Sequence, residues 1–84
     1  MDEYCMVVKI LFEVNGNTIN KLLRVLNTIK GNVFLMKEND LRRVKNSIIG
    51  ILSLNLHRFE NLCIVTDSNE TDLENIKKQI SMID

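Results

Sequence analysis

The chain has 84 residues, of which 11 are acidic, 11 are basic and 45% are hydrophobic. That length has room for one domain, 1–84, with one modest core, and the balanced charge argues against a sequence-independent hold on nucleic acid. No uncharged apolar run is long enough to cross a bilayer, and Asp2 and Glu3 stand where a signal peptide would carry positive charge, so a cytoplasmic protein without membrane contact is expected. Cys5 and Cys63 each lie inside an apolar run and read as buried, reduced thiols rather than a disulfide. There is no Cys-x-x-Cys and no pair of histidines, so neither a zinc site nor any other metal or cofactor is expected.

Tyr4 to Val14 is the first strand candidate, because Val8, Ile10, Phe12 and Val14 alternate with other residues. The Asn15-Gly16-Asn17 turn ends it. Ile19, Leu22, Leu23, Leu26 and Ile29 then recur on one face of a helix. Asn20, Lys21, Arg24 and Asn27 fall away from that stripe. Asn15, Asn17 and Thr18 are all candidate caps, and Gly31 is the expected stop. Asn32 to Met36 reads as a second strand and Lys37 to Asp40 as a polar turn. Leu41 to Val44 reads as a third strand with a wet, basic side that includes Arg42 and Arg43.

Ser47 comes next, directly before Ile48-Ile49-Gly50-Ile51-Leu52-Ser53-Leu54-Asn55-Leu56. It reads as the N-cap of a short helix that is apolar nearly all round and so almost buried. Gly50 within that helix costs about 1 kcal/mol against Ala, which predicts a close neighbour there, and Asn55 suits the helix exit. His57 to Glu60 is a loop with Phe59 tucked beneath it. Asn61 to Thr66 is a buried fourth strand. Thr71 opens a capping-box pattern, and Leu73, Ile76 and Ile80 form the core face of a last helix, with Lys77 and Lys78 outside. The order β-α-β-β-α-β-α predicts an α+β plan with helices on one side of a mainly antiparallel sheet. Pattern alone leaves the strand order open, and a ferredoxin-like sheet is the generic alternative.

The Ser47 stretch, with Lys45 two residues before it, resembles the regulatory-serine segment of HPr, the small phosphocarrier family of the bacterial sugar phosphotransferase system. The family pattern is roughly Lys-Ser-Ile-hydrophobic-Gly-hydrophobic-hydrophobic-Ser-Leu-Gly-hydrophobic. Here Asn46 stands between Lys and Ser, and Asn55 replaces the last Gly. The resemblance runs from about Cys5 to Met82. It implies an open-faced β-sandwich of four antiparallel strands in order 1-4-2-3, with three helices on one face.

In that family the first helix opens on Gly-hydrophobic-His-Ala-Arg-Pro. The His takes a phosphoryl group and the Arg supports it, both at a helix N-terminus that favours an anion. Aligning Leu22, Leu26 and Val33 puts Asn15 at the His position, Gly16 at Ala, Asn17 at Arg and Thr18 at Pro. Val14 to Asn20 contains no His or Arg. A carboxamide nitrogen gives its lone pair to its carbonyl, so Asn15 is a poor nucleophile, and Asn17 is neutral where Arg is a charged fork. The only His, His57, reads as a solvated loop residue. The resemblance also implies a regulatory phosphorylation site at Ser47. It further implies a docking face from Asn20, Lys21 and Arg24 on the first helix with Ile48, Ile49 and Leu52 on the second. No catalytic residue is expected. The reading is an HPr-like adaptor for proteins of the phosphotransferase system, a serine kinase or a regulator. A genuine phosphocarrier, or an HPr fold recruited to an unrelated partner, are the alternatives.

Overall fold

A computed structural model describes residues 3–44 and 47–84. Asp2, Lys45, Asn46 and the side chain of Arg43, to which the sequence assigns charge or spacing roles, lie outside the described set. The elements are β1 (Tyr4–Lys9), α1 (Gly16–Leu26), β2 (Val33–Lys37), β3 (Asp40–Arg43), α2 (Ile48–Leu52), β4 (Asn61–Thr66) and α3 (Glu70–Ile80). The sheet order is β1-β4-β2-β3, with each neighbouring pair antiparallel. This is the order the HPr resemblance implies, not the ferredoxin-like alternative.

Strand alternation sets the two faces. Val8, Val33, Leu35, Leu62 and Ile64 point inward and are buried. They meet Ile19, Leu22 and Leu26 of α1, Ile51 of α2 and Leu73, Ile76 and Ile80 of α3 in one apolar cluster. The opposite face of the sheet is open. Val7 and Leu41 lie on it about half exposed, at 58% and 50%.

The element ends depart from the sequence expectation for local reasons. β1 stops at Lys9, not Val14, although Phe12 stays buried and Ile10 N–H still reaches the Glu60 carbonyl at 2.9 Å. α1 stops at Leu26, not at Gly31. Thr28 turns its hydroxyl onto the Val25 carbonyl at 2.6 Å, and Thr28 and Ile29 N–H make i→i+3 bonds to Val25 and Leu26. Side-chain competition and that tighter turn end the helix, while Ile29 still enters the core. Gly31 is not in the left-handed region. A Cβ there would instead meet the Asp67 carboxylate, which accepts from Asn32 N–H at 2.8 Å. β2 and β3 are each shifted by one residue from the spans expected.

Three expectations about burial and capping are corrected. α3 begins at Glu70, with Asn69, not Thr71, as cap. Its Oδ1 accepts from Asp72 N–H at 2.8 Å. Phe59 is 63% exposed rather than tucked under its loop; it lies at φ 73° beneath the Arg58 guanidinium, 4.9 Å from the ring centroid. α2 is not almost buried. Five residues can bury one side only: Ile51 is fully buried and Ile48 half-buried, while Ile49 and Leu52 are 76% and 57% exposed.

Candidate functional site

The start of α1 is a closed hydrogen-bonded unit. Asn15 is extended and caps the helix, its Oδ1 accepting from Thr18 N–H at 3.0 Å. Thr18 answers by accepting from Asn15 N–H at 3.0 Å and donating its hydroxyl to the Glu13 carbonyl at 2.6 Å. Of the three cap candidates, Asn15 is thus the cap and buried Thr18 its reciprocal partner. The Asn15 carboxamide oxygen is engaged in holding the helix end, and exposed Asn17 adds only a neutral amide. No acidic residue occupies the first turn. His57 belongs to a different place, the exposed loop before β4. That loop is tied to the chain leading into α1: Phe59 N–H donates to the Ile10 carbonyl at 2.6 Å, and Arg58 Nε to the Leu11 carbonyl at 3.0 Å.

Ser47 caps α2 as its sequence position predicts. Its Oγ accepts from Gly50 N–H at 3.2 Å, and the residue is half-exposed. Asn55, at φ 52°, takes the left-handed turn at the helix exit. Removing the cap costs about 1 kcal/mol, whereas Asp both caps and complements the helix dipole. Ser47→Ala is therefore expected to lower the urea midpoint measurably and Ser47→Asp to keep most of the stability. Equal midpoints for all three proteins would contradict the cap.

α1 and α2 pack side by side. Asn20 and Arg24 are exposed one turn apart on α1, and Ile49 and Leu52 form an exposed apolar pair at i, i+3 on α2. Two of the six expected docking residues are held otherwise. Ile48 packs partly into the core, and half-buried Lys21 turns its ammonium to Asp84, 3.2 Å from the backbone carbonyl and 3.9 Å from Oδ1. On the basic side of β3, Arg42 lies 3.8 Å from Asp40. A hollow of about 370 Å³ takes Val7, Lys9, Leu11 and Lys77 among its walls, and none of its lining residues belongs to α1 or α2.

Lys37 is a structural residue that pattern reading missed. Its ammonium meets Glu60 at 3.0 Å and donates to the Asn55 and Leu54 carbonyls at 2.8 and 3.4 Å. It thereby pins the α2 exit to β2 and to the loop before β4. Burial pushes the Glu60 carboxyl upward, but hydrogen bonds from Lys37 and His57 N–H, with the Lys37 charge, outweigh it and hold the group below its usual value.

The thiols correct another expectation. Cys5 is exposed and Cys63 half-buried, because both fall on the strand parity opposite to buried Val8, Leu62 and Ile64. They do lie on neighbouring strands, as the order 1-4-2-3 requires. Burial and the adjacent Cys5 thiol push Cys63 up to about 11. Since the thiolate is the nucleophile, a maleimide at neutral pH is expected to label Cys5 fast and Cys63 slowly. Peptide mass mapping against time checks this; equal rates at both positions would contradict it.

Among the described residues no helix is long and apolar enough to cross a membrane. No protein-family model and no curated protein sequence matches the chain. Solved structures do. The phosphocarrier protein HPr from Bacillus anthracis str. Ames superposes with a TM-score of 0.79 at 20% identity, covering 92% of this chain and 95% of its own. HPr-C-His from Thermoanaerobacter tengcongensis gives 0.75 at 17% identity, covering 96% and 92%. With strand order, helix placement and coverage in agreement, the chain has an HPr-like fold.

Proposed function

We propose that this chain is a non-catalytic, HPr-like protein-binding adaptor that carries no phosphohistidine. The carrying observation is the α1 N-terminus, where the Asn15–Thr18 box stands at the position the family resemblance assigns to the phosphorylated His and its Arg. One of the two similar structures named above is a phosphocarrier protein; this chain shares the architecture of both and has Asn15 where the resemblance assigns the phosphorylated His. Docking then rests on the helix pair. Exposed Ile49 and Leu52 supply an apolar centre, and Asn20 and Arg24 a polar rim, with Lys21 at its margin beside Asp84. An apolar centre with a polar rim is the usual anatomy of a protein interface.

Ser47 is the proposed regulatory position. Its Oγ accepts the cap bond, so the bond does not consume the hydroxyl proton. A phosphate would add charge beside Ile49 and Leu52, and desolvating it in an apolar contact is costly. The expected partners are enzymes of the phosphotransferase system, a serine kinase or a regulator. Titrating the isotopically labelled chain with the general phosphotransferase enzyme or the HPr serine kinase, followed by NMR, tests this reading. Shifts are expected at Asn20, Arg24, Ile49 and Leu52, and Ile49→Asp should abolish them. Shifts confined to the open sheet face, or none with either protein, would sink the proposal.

A further inference from the structure

The open face of the sheet carries a set of sulfur atoms that the adaptor reading does not use. Cys5 pairs with Val65 across β1 and β4, and Cys63 pairs with Val7 two residues along, so the cysteines are diagonal neighbours on one face. On the other side of β4, Met36 of β2 stands directly opposite Cys63, and it is 36% exposed. Directly opposed residues point to the same side of a sheet. Two thiols and a thioether from three adjacent strands therefore share one patch, walled by Val7, Phe34 and Val65.

We propose that Cys5, Cys63 and Met36 form a binding site for a single soft monovalent metal ion, Cu(I). Two arguments select this class. First, thiolate and thioether are soft ligands that suit Cu(I). Among the described residues no group of three His, Cys, Asp or Glu could hold a metal ion, so zinc and the hard divalent cations find no ligand set. Second, diagonal cross-strand residues stand about 7–8 Å apart at Cα, beyond the roughly 7 Å at which a disulfide closes without backbone movement. An ion between the sulfurs lengthens the bridge by a second metal–sulfur bond and fits where the direct S–S bond is strained. Binding is ligand exchange without electron transfer. Two copper–sulfur bonds replace two S–H bonds, one proton leaves each thiol for solvent, and the thioether of Met36 adds a lone pair.

The test is anaerobic titration of the reduced full chain with Cu(I) against a chromogenic Cu(I) chelator. One ion per monomeric chain is expected. Cys5→Ser and Cys63→Ser should each abolish stoichiometric binding, and Met36→Leu should keep the stoichiometry but yield the ion at a lower chelator concentration. Far-UV circular dichroism checks that the variants are folded. X-ray absorption of the wild-type complex gives a reading independent of any variant and should show sulfur-only ligation. Binding that survives either serine variant, one ion shared between two chains, or oxygen and nitrogen ligands would overturn the site. Met36→Leu with unchanged affinity would overturn its thioether as ligand.

Discussion

Ile64→Ala is expected to cost about 2–5 kcal/mol, the range for deleting a large aliphatic side chain from a packed core. Ile64 is fully buried, and β4 is flanked on both sides, Ile64 pairing with Met6 of β1 and Leu35 of β2. The cavity would open beneath the middle of the sheet, where backbone hydrogen bonds to two strands resist collapse around it. Domains of this size have a total stability on the order of 5–10 kcal/mol, so the variant should be partly unfolded well below the wild-type transition. Val7→Ala is the control on the same sheet. Val7 points to the open face and is 58% exposed, and surface changes of this kind usually stay within about 0.5 kcal/mol. Urea unfolding followed by circular dichroism measures both. A loss at Ile64 no larger than at Val7 would show that the helix layer does not cover the sheet as described.

What the sequence discloses divides along physical lines. The stripes of α1 and α3 were legible because side chains repeat with the helix period, whereas α2, apolar nearly all round, showed no stripe to tell its buried side from its exposed one; β4 was legible to the residue because its apolar run is bounded by polar turns. The exposure of Cys5 was legible too, by the same alternation that buries Val8 and Ile10, but the tendency of cysteine to be buried pointed the other way. Strand parity won. Helix ends were harder, since several residue types compete there: Thr28 ends α1 before Gly31 can, and Asn69 caps α3 before Thr71. Phe59 could not be read at all. Its left-handed backbone is set by bonds from its loop to Ile10 and Leu11, remote in sequence.

For the candidate site the same division holds. Asn15 and Ser47 bond to backbone three residues away, so their capping roles follow from local order. Lys21 and Lys37 reach residues 63 and 17–18 positions distant, respectively. Nothing periodic announces such contacts, and they put Lys21 at the margin of the proposed docking face and Lys37 beneath the α2 exit that carries it.

Incubated with phosphoenolpyruvate and the general phosphotransferase enzyme, the protein is expected to take up no acid-labile phosphate. Phosphoryl transfer to nitrogen needs a lone pair free to attack, and imidazole has one in its neutral form. The Asn15 nitrogen shares its pair with the carbonyl, and the Asn15 oxygen is held by Thr18 N–H at 3.0 Å. Asn17 brings no positive charge to a phosphate in flight, where a guanidinium would offer a charged, bidentate fork. His57, as the one imidazole in the chain, is the alternative acceptor, and its exposed loop lies before β4 rather than at a helix N-terminus. A double variant, Asn15→His with Asn17→Arg, replaces both missing groups at an estimated cost of about 1 kcal/mol for the lost cap. Phosphate uptake by that variant and not by the wild type would trace the defect to these two side chains. Uptake by the wild type would refute the adaptor reading, and its loss in His57→Ala would identify the carrier.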